Sequence, residues 1–328
     1  MKILFVDLQY DYGMKDRGIN QIGEIGFHQS FLKLGHQVEC FYYDDYLKNL
    51  EALQEAVQFK ADQVKPDLIY FVLFGEQFKP ETLKALSSKY KTINWFGDDQ
   101  WRFENFTKKY APLFTWSVTT DPFAVSKYRK LGIKNVILSQ WAALNLNIPV
   151  QAPSQYKYDV SFIGSSHSVR RWFIDTFRKK GINVATFGYG WPSGPISLEQ
   201  MMSVFQESKI NLNLGNSVHL DMRYLLHNLK NPIVAWKSSK ASSQIKARNF
   251  EIPYYGGFQL TEYVPTIESY FNLGQELVCF SNVDEALMLT QHYLENDSER
   301  EIIKNAGIKK AREFHTYFNR QKEIFLQL

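Results

Sequence analysis

Short apolar runs alternate with amphipathic segments along the whole chain, and this alternation limits the fold more than any other feature of the sequence. Residues 2–8 and 67–74 are apolar runs typical of strands, whereas residues 23–35 and 79–90 have helical spacing. Repeated strand–helix order favours right-handed βαβ units and a parallel sheet. The nearly unbroken run at 67–74 indicates that helices cover both faces of that sheet.

A segment without periodicity, residues 145–159, interrupts the alternation near the middle of the chain and contains two prolines. The strand–helix pattern then restarts and continues to the end. We therefore predict an α/β protein with two doubly wound, Rossmann-like domains, residues 1–150 and 151–328, facing each other across a cleft. Ligands of such sheets bind at the carboxyl ends of the strands, so the loops there are the candidate sites.

Composition supports two cores and excludes several function classes. A chain of 328 residues with 45% hydrophobic residues can bury two cores of ordinary size. Its net charge of +4 is too small to indicate nucleic-acid binding, although it suits a cleft that receives a diphosphate. The sequence contains no run of 18 apolar residues and no metal-binding cysteine pattern. We expect its first residues to form a strand and not a signal peptide. We expect a cytoplasmic protein in which Cys40 and Cys279 are free thiols.

The stretch most informative about a protein family lies near the end of the sequence. It begins with KARNFEIPYYGGFQLTE at residues 246–262 and continues with ELVCFSNVDEAL at 276–287 and NAGIKKAREFHTYFNR at 305–320. It resembles the C-terminal domain of the CgeB-like (spore-maturation type) glycosyltransferases, a branch of the GT-B superfamily. WFGDDQW at 95–101 looks like the aromatic-x-x-Asp-Asp strand end of the same family. The resemblance implies a GT-B fold whose first domain binds the acceptor and whose second binds the nucleotide-sugar donor. We allow for the terminal helix packing back on the first domain.

Several residues of the specific stretch are predicted to bind the donor. Lys246 and Arg248 stand two apart before a helical segment, where their charges can neutralise a diphosphate. Glu251 resembles the acidic residue that accepts hydrogen bonds from the donor ribose in related enzymes, and Gly256 and Gly257 form the family's Gly-Gly turn. Many retaining GT-B enzymes carry a second acidic residue eight positions before the ribose-binding one, but this chain has Ser243 there. The residue that contacts the transferred sugar is therefore open.

Two glycine turns add further candidates for the donor site. Gly164 and Ser165 follow a strand-like run and precede a helix that carries Arg170, so backbone amides and a guanidinium can approach a phosphate there. Gly188 and Tyr189 form a second turn, where the aromatic ring can stack on the nucleotide base. The alternative to donor binding is a structural role, in which both segments are ordinary strand–helix turns with exposed arginines.

On the acceptor side, two adjacent carboxylates end a predicted central strand. Asp98 and Asp99 follow TINWFG, and because strand residues alternate in direction, we expect only one of them to face the cleft. That carboxylate is our candidate general base or acceptor-binding group. The alternative is an N-cap of the following helix.

These observations predict a metal-independent glycosyltransferase, either hexosyl- or pentosyltransferase, that uses a nucleoside-diphosphate sugar. A UDP- or TDP-sugar is the favoured co-substrate, and no cofactor is expected. The acceptor is open: a polysaccharide, glycolipid, protein or modified nucleic-acid base would each fit, with DNA not favoured. An epimerase of nucleotide sugars and a non-catalytic nucleotide- or sugar-binding module are the alternative functions. Residues 216–240 form an insertion with no recognised counterpart.

Overall fold

The computed structural model describes residues 1–150, 153–217, 221–238, 240 and 243–328. The chain divides into two compact units, residues 1–145 with 316–328 and residues 146–315. The division falls five residues before the predicted boundary at 150/151, where residues 151 and 152 lie outside the described part of the chain. None of the helices in the described part has the length and apolarity needed to span a bilayer.

The first unit contains a six-stranded parallel sheet with the order β2-β1-β3-β4-β5-β6. Its strands are β1 (Lys2–Asp7), β2 (Gln37–Tyr42), β3 (Leu68–Phe71), β4 (Lys91–Phe96), β5 (Trp116–Thr119) and β6 (Val136–Leu138). Residues 3–6 of β1 and 69–71 of β3 are fully buried, because helices cover both faces of the sheet as the apolar runs predicted.

The helices of the first unit follow the strands in the predicted alternation. They are α1 (Gln29–Lys33), α2 (Leu50–Val64), α3 (Pro80–Lys89), α4 (Asp99–Arg102), α5 (Lys108–Tyr110) and α6 (Ala124–Lys130). Two predicted helices are interrupted by π-helical turns, Ile22–His28 before α1 and Phe103–Thr107 between α4 and α5. Helical spacing in the sequence does not distinguish these wider turns from α-helix.

The second unit contains a five-stranded parallel sheet with the order β11-β10-β9-β7-β8. Its strands are β7 (Tyr158–Ile163), β8 (Val184–Phe187), β9 (Ser208–Asn213), β10 (Gln259–Glu262) and β11 (Val278–Phe280). Written from its other edge, this order is β8-β7-β9-β10-β11. The first strand of the unit, β7, then lies between the second and the third, just as β1 lies between β2 and β3 in the first sheet. In both sheets the direction of winding therefore reverses between the first and third strands, which places the binding crevice at their carboxyl ends.

Seven helices are described in the second unit. They are α7 (Ser168–Lys179), α8 (Leu198–Gln206), α9 (Met222–His227), α10 (Asn231–Lys237), α11 (Arg248–Tyr254), α12 (Val283–Glu295) and α13 (Asp297–Phe314). The helix α8 begins with a capping box in which Ser197 accepts from the Gln200 amide and the Gln200 side chain accepts from the Ser197 amide. The prediction of two Rossmann-like parallel-sheet domains is confirmed.

The last helix, α14 (Tyr317–Phe325), groups with the first unit although it follows the second in sequence. The Tyr317 amide donates to the Ala143 carbonyl at 3.1 Å. Gly26 lies close enough to the Tyr317 ring that a Cβ there would be 3.0 Å from it, so a small residue is needed at this contact. His315, at the end of α13, instead stays in the second unit, where its Nε2 contacts the Tyr270 carbonyl at 2.8 Å.

Candidate functional site

A glycine turn follows each of the strands β7 and β8, and hydrogen bonds connect the two turns. The Gly164 amide donates to the Phe187 carbonyl, and the Gly164 carbonyl accepts from the indole N–H of Trp191. Gly188 has φ +125°, and a Cβ on it would lie 2.5 Å from the Gly164 carbonyl oxygen. Gly188 therefore permits the close approach of the two loops. Tyr189 is half exposed, and its carbonyl accepts from the Ser166 amide.

Arg170 occupies the point where the winding of the second sheet reverses. It extends from α7, after β7, and its Nε donates to the carbonyls of Leu214 (3.1 Å) and Gly215 (3.0 Å), which follow β9. Its Nη1 donates to the Ser165 carbonyl at 3.1 Å. Among the described residues, none accepts a hydrogen bond from its Nη2. Arg170 thus fixes the two loops that border the crevice and keeps one donor group for another partner.

Arg248 and Glu251 form an ion pair in the first turn of α11. The Arg248 Nη1 lies 2.9 Å from a Glu251 carboxylate oxygen, and their side chains are 26% and 12% exposed. The guanidinium also lies over the Phe205 ring, 5.3 Å from its centroid. Burial raises the pKa of Glu251, and the charge of Arg248 opposes that shift. The pair therefore presents a fixed cation and a carboxylate from a single helical turn.

A second carboxylate, that of Glu262, ends β10 at the same edge of the sheet. One of its oxygens accepts from the Gly215 amide at 2.9 Å and the other from the Ser243 hydroxyl at 2.7 Å. Gly215 is required here because a Cβ would lie 2.5 Å from the carboxylate. An acidic group is thus present in space beside Ser243, the position where the sequence lacks one.

Positive charge accumulates around these loops. Burial, and next the charge of Arg248, lower the pKa of Arg170 to about 10, while Glu262 opposes the shift. Burial, followed by the charges of Arg170 and Lys240, lowers the pKa of His167. A cation whose pKa is lowered by burial and by neighbouring positive charge is stabilised when an anion joins it. The arrangement is suited to an anion with several oxygens.

The remaining donor-site candidates divide between the two edges of the sheet. Lys246 is half-buried just before α11, and its amide donates to the Asn249 side chain at 3.0 Å. Gly256 and Gly257 instead lie between the end of α11 and the start of β10, at the amino edge. A Cβ on Gly256 would meet Val150 at 2.7 Å and one on Gly257 would meet Asn211 at 2.6 Å. The structure does not bring these two glycines together with the other candidates, and their position accounts for them as a tight turn.

Asp98 and Asp99, the candidates of the first unit, differ in exposure. Asp99 is 1% exposed and accepts from the hydroxyls of Thr107 (2.6 Å), Thr119 (2.5 Å) and Tyr128 (2.8 Å). Burial raises its pKa to about 6. Its enclosure by three hydroxyls does not favour contact with a substrate. Asp98 is half-buried at the N-cap position of α4. Both residues follow the end of β4 at Phe96, so the alternation expected within a strand does not apply to them.

Sequence reasoning missed three groups of the second unit: Glu262, His167 and Lys240. Glu262 was part of the quoted Thr-Glu strand end, and its place at the carboxyl end of a strand was the signal that could have identified it. His167 immediately precedes α7, and Lys240 lies in the insertion, where no pattern assigned a role. Among the described residues, no cluster of three or more His, Cys, Asp or Glu side chains is placed to hold a metal ion.

Comparison with known proteins relates the second unit to a family of transferases. Residues 170–325, nearly half of the chain, match a family described as glycosyl transferase-like. The matched range contains Arg170, Arg248, Glu251 and Glu262. The second half of this chain is therefore similar to glycosyl transferase-like domains. No curated protein matches the sequence at a significant level.

Solved glycosyltransferase-type structures share the fold over the whole length of the chain. Sucrose-phosphate synthase from Thermosynechococcus elongatus is 9% identical, with a TM-score of 0.63 over 100% of this chain and 98% of that one. Anabaena HepE, solved in complex with UDP-glucose, is 11% identical, with a TM-score of 0.61 over 100% of both chains. A glycosyltransferase from Rickettsia africae is 9% identical, with a TM-score of 0.64 over 99% and 97%. The two parallel-sheet domains thus have the GT-B fold, while the CgeB-like subtype stays a prediction.

Proposed function

We propose that this protein is a glycosyltransferase that takes its sugar from a nucleoside-diphosphate sugar bound at the carboxyl edge of the second sheet. One observation carries the proposal: Arg170 is fixed by three backbone carbonyls at the point where the winding reverses, and its Nη2 has no acceptor among the described residues. Burial and the charge of Arg248 lower its pKa. A diphosphate would compensate both cations. The family match over residues 170–325 supports transfer chemistry at this place.

Each nearby group has a role in this proposal. Arg170 and Arg248, with Lys246 beside α11, bind the diphosphate oxygens through charge-assisted hydrogen bonds. Glu251 accepts from the two ribose hydroxyls, because a carboxylate can accept from both members of a vicinal diol. Its ion pair with Arg248 holds the carboxylate in position before the nucleotide arrives. The half-exposed ring of Tyr189 is the candidate for stacking on the base.

Glu262 is our candidate for contact with the transferred sugar. It lies 2.7 Å from the hydroxyl of Ser243, the position at which related retaining enzymes carry an acidic residue. The amide of Gly215 and the hydroxyl of Ser243 fix its carboxylate, so its oxygens can accept from sugar hydroxyls in a defined direction. We infer that this chain supplies from β10 the carboxylate that its relatives supply from position 243.

The catalytic contribution is then electrostatic. As the glycosidic bond to the diphosphate breaks, negative charge grows on the leaving phosphate, and fixed guanidinium groups stabilise that charge without a metal ion. For the acceptor we assign the first unit and keep Asp98 as the candidate base, because Asp99 is enclosed by hydroxyls. The two cysteines are free, which suits the cytoplasmic location that we also propose.

The proposal is tested by thermal-shift titration with UDP, TDP, GDP, ADP and CMP, each with and without Mg²⁺. We expect stabilisation by one diphosphate whether or not metal is present. Glu251→Ala should weaken it by about tenfold in apparent affinity, since a buried charged hydrogen bond contributes about 1.5 kcal/mol or more. Glu295→Ala, an exposed carboxylate at the end of α12, is the matched control and should behave as wild type.

Turnover distinguishes the competing functions. Slow hydrolysis of the sugar nucleotide that matches the stabilising diphosphate, without any acceptor, would support a transferase. Interconversion of two sugar nucleotides would contradict transfer in favour of an epimerase. Binding without consumption in the presence of candidate acceptors would indicate a binding module. If no nucleotide shifts the melting temperature, the donor-site assignment is wrong.

A further inference from the structure

Two short helices between β9 and α11 expose an unusual amount of apolar surface. In the described segment 221–238, the helices α9 and α10 lie one after the other. Leu229 is 96% exposed and Trp236 is 86% exposed. Four further large apolar residues of the segment are exposed: Met222, Leu226, Ile233 and Val234. Single exposed apolar residues are ordinary, but six of them within one short segment indicate an interaction surface.

The inner side of this segment is firmly attached to the second unit. Tyr224 is fully buried, its ring packs 5.8 Å from that of Trp172, and its hydroxyl lies 2.8 Å from that of Ser168. The side chain of Asn231 donates to the Tyr224 carbonyl at 2.7 Å. Arg223 bridges to Asp284 of α12 at 2.9 Å. The apolar residues are therefore held outward by a packed inner face.

The charges of the same segment are mainly basic. Residues 221–238 contain three basic residues, Arg223, Lys230 and Lys237, and one acidic residue, Asp221, which pairs with Arg223. Lys230 and Lys237, one beside each of the two most exposed apolar residues, are themselves exposed. Apolar side chains with adjacent lysines suit the boundary between lipid tails and anionic headgroups, where Trp and Leu insert and Lys reaches the phosphates. A second copy of this surface would bring like charges together.

We propose that the 221–238 segment docks the protein onto an anionic lipid bilayer. Leu229, Trp236 and their apolar neighbours enter the interface, and Lys230 and Lys237 bind the headgroup phosphates. This inference depends on the exposed face of α9 and α10 and not on nucleotide binding. Its failure would leave the proposed transfer function unaffected.

Co-flotation with vesicles tests the proposal on the full chain. Vesicles of phosphatidylcholine alone are compared with vesicles that also contain phosphatidylglycerol, at low and high salt. We expect binding to the anionic vesicles, weakened by salt. Lys230→Gln with Lys237→Gln should lower this partitioning by about 30-fold, because each lysine near an anionic surface contributes roughly a fivefold effect. Leu229→Ser with Trp236→Ser should lower it by at least about tenfold.

The matched control is Met288→Ser with Ile302→Ser, two exposed apolar residues of α12 and α13 outside the segment, which should bind as wild type. Failure of the wild type to float with anionic vesicles would overturn the proposal, as would equal binding by the Leu229→Ser, Trp236→Ser variant. Size-exclusion chromatography with light scattering tests the alternative partner, a second copy of this chain. A wild-type dimer that this variant converts to monomers, with no vesicle binding, would assign the surface to self-association instead.

Discussion

The two sheets reverse their winding at equivalent places, yet the residues at the two places are opposite in character. In the first sheet, β1 ends in Asp7, which is 3% exposed and accepts from the Leu8 amide and the Asn20 side chain. Burial raises its pKa well above 3.8. In the second sheet, the loop after β7 leads to Arg170, which is half-buried. Burial and the charge of Arg248 lower the pKa of Arg170, and its Nη2 has no acceptor among the described residues.

The difference shows that the sheet topology determines where a crevice forms. The charge and the solvation of the residues in that crevice determine whether it suits a ligand. A buried carboxyl group with its acceptors occupied stabilises the loop around it and has little left to offer a ligand. A partly solvated cation whose pKa is lowered by burial and by a neighbouring cation is stabilised when an anion binds beside it. By this criterion we propose the second unit as the nucleotide-binding one, and we assign a mainly structural role to Asp7 and Asp99.

The largest expected effect is at Arg170. Arg170→Ala should lower the affinity for the nucleoside diphosphate by about 100-fold, because a charged donor to phosphate at a partly desolvated site contributes about 3 kcal/mol. Isothermal titration measures it. Arg171→Ala is the matched control, since this neighbour bonds the Ser166 hydroxyl and the Gly190 carbonyl instead, and should change affinity by less than about threefold. Equal losses in both variants would remove the distinction between the crevice and an ordinary basic helix.

Glu262→Gln should act on turnover more than on nucleotide binding. If Glu262 contacts the transferred sugar, the neutral amide should reduce kcat by about 30-fold, a cost of roughly 2 kcal/mol. The dissociation constant of the free diphosphate should change by less than about threefold. Steady-state donor hydrolysis and titration with the diphosphate measure the two quantities. A loss confined to diphosphate affinity would place Glu262 at the nucleotide and contradict our assignment.

A pH effect on stability is expected from Asp99 in the first unit. Its pKa is about 6 in the folded protein and about 3.8 when unfolded, so the folded state binds the proton more tightly. Its contribution to stability is therefore greatest below pH 4 and is lost as the pH rises to about 6. Relative to wild type, Asp99→Asn should gain about 2 kcal/mol in the free energy of unfolding between pH 4 and pH 7. A constant difference in urea denaturation across that range would contradict the raised pKa, and nucleotide affinity should not change.

The smallest effect is expected at His167. Nearby cations contribute to lowering the pKa of its imidazole, so inorganic pyrophosphate bound beside Arg170 should raise that pKa by roughly one unit or less. Titration of the imidazole proton resonances by NMR, assigned with His167→Gln, measures the change. His36 of the first unit, whose imidazole pKa is lowered by burial and by the N-terminal charge, provides the internal control and should not respond.

The fold was largely predictable because it depends on patterns that are local in sequence. Strand and helix alternation predicted both parallel sheets, although the strand order is decided by contacts between distant segments. The π-helical turns at 22–28 and 103–107 were not predicted, because their apolar spacing is compatible with an α-helix. The structure was needed to show that Ser197 caps α8 and that Gly188 allows the close approach of the loop at Gly164.

The site was less predictable because it is assembled from segments far apart in sequence. Arg248 and Glu251 could be identified together since they share one helical turn. The proximity of Glu262 to Ser243, across 19 positions, could not be obtained from spacing. Gly256 and Gly257 illustrate the reverse problem: they belong to the same sequence motif as Glu251 but follow α11, and a helix carries the chain to the opposite edge of the sheet.

The most direct test of the account is a crystal structure of the protein with the nucleoside diphosphate that stabilises it most. We predict that the diphosphate contacts Arg170 and Arg248 and that the ribose hydroxyls donate to Glu251. A nucleotide bound at the end of β1 beside Asp7, or bound to the second unit without contact to either arginine, would contradict the account.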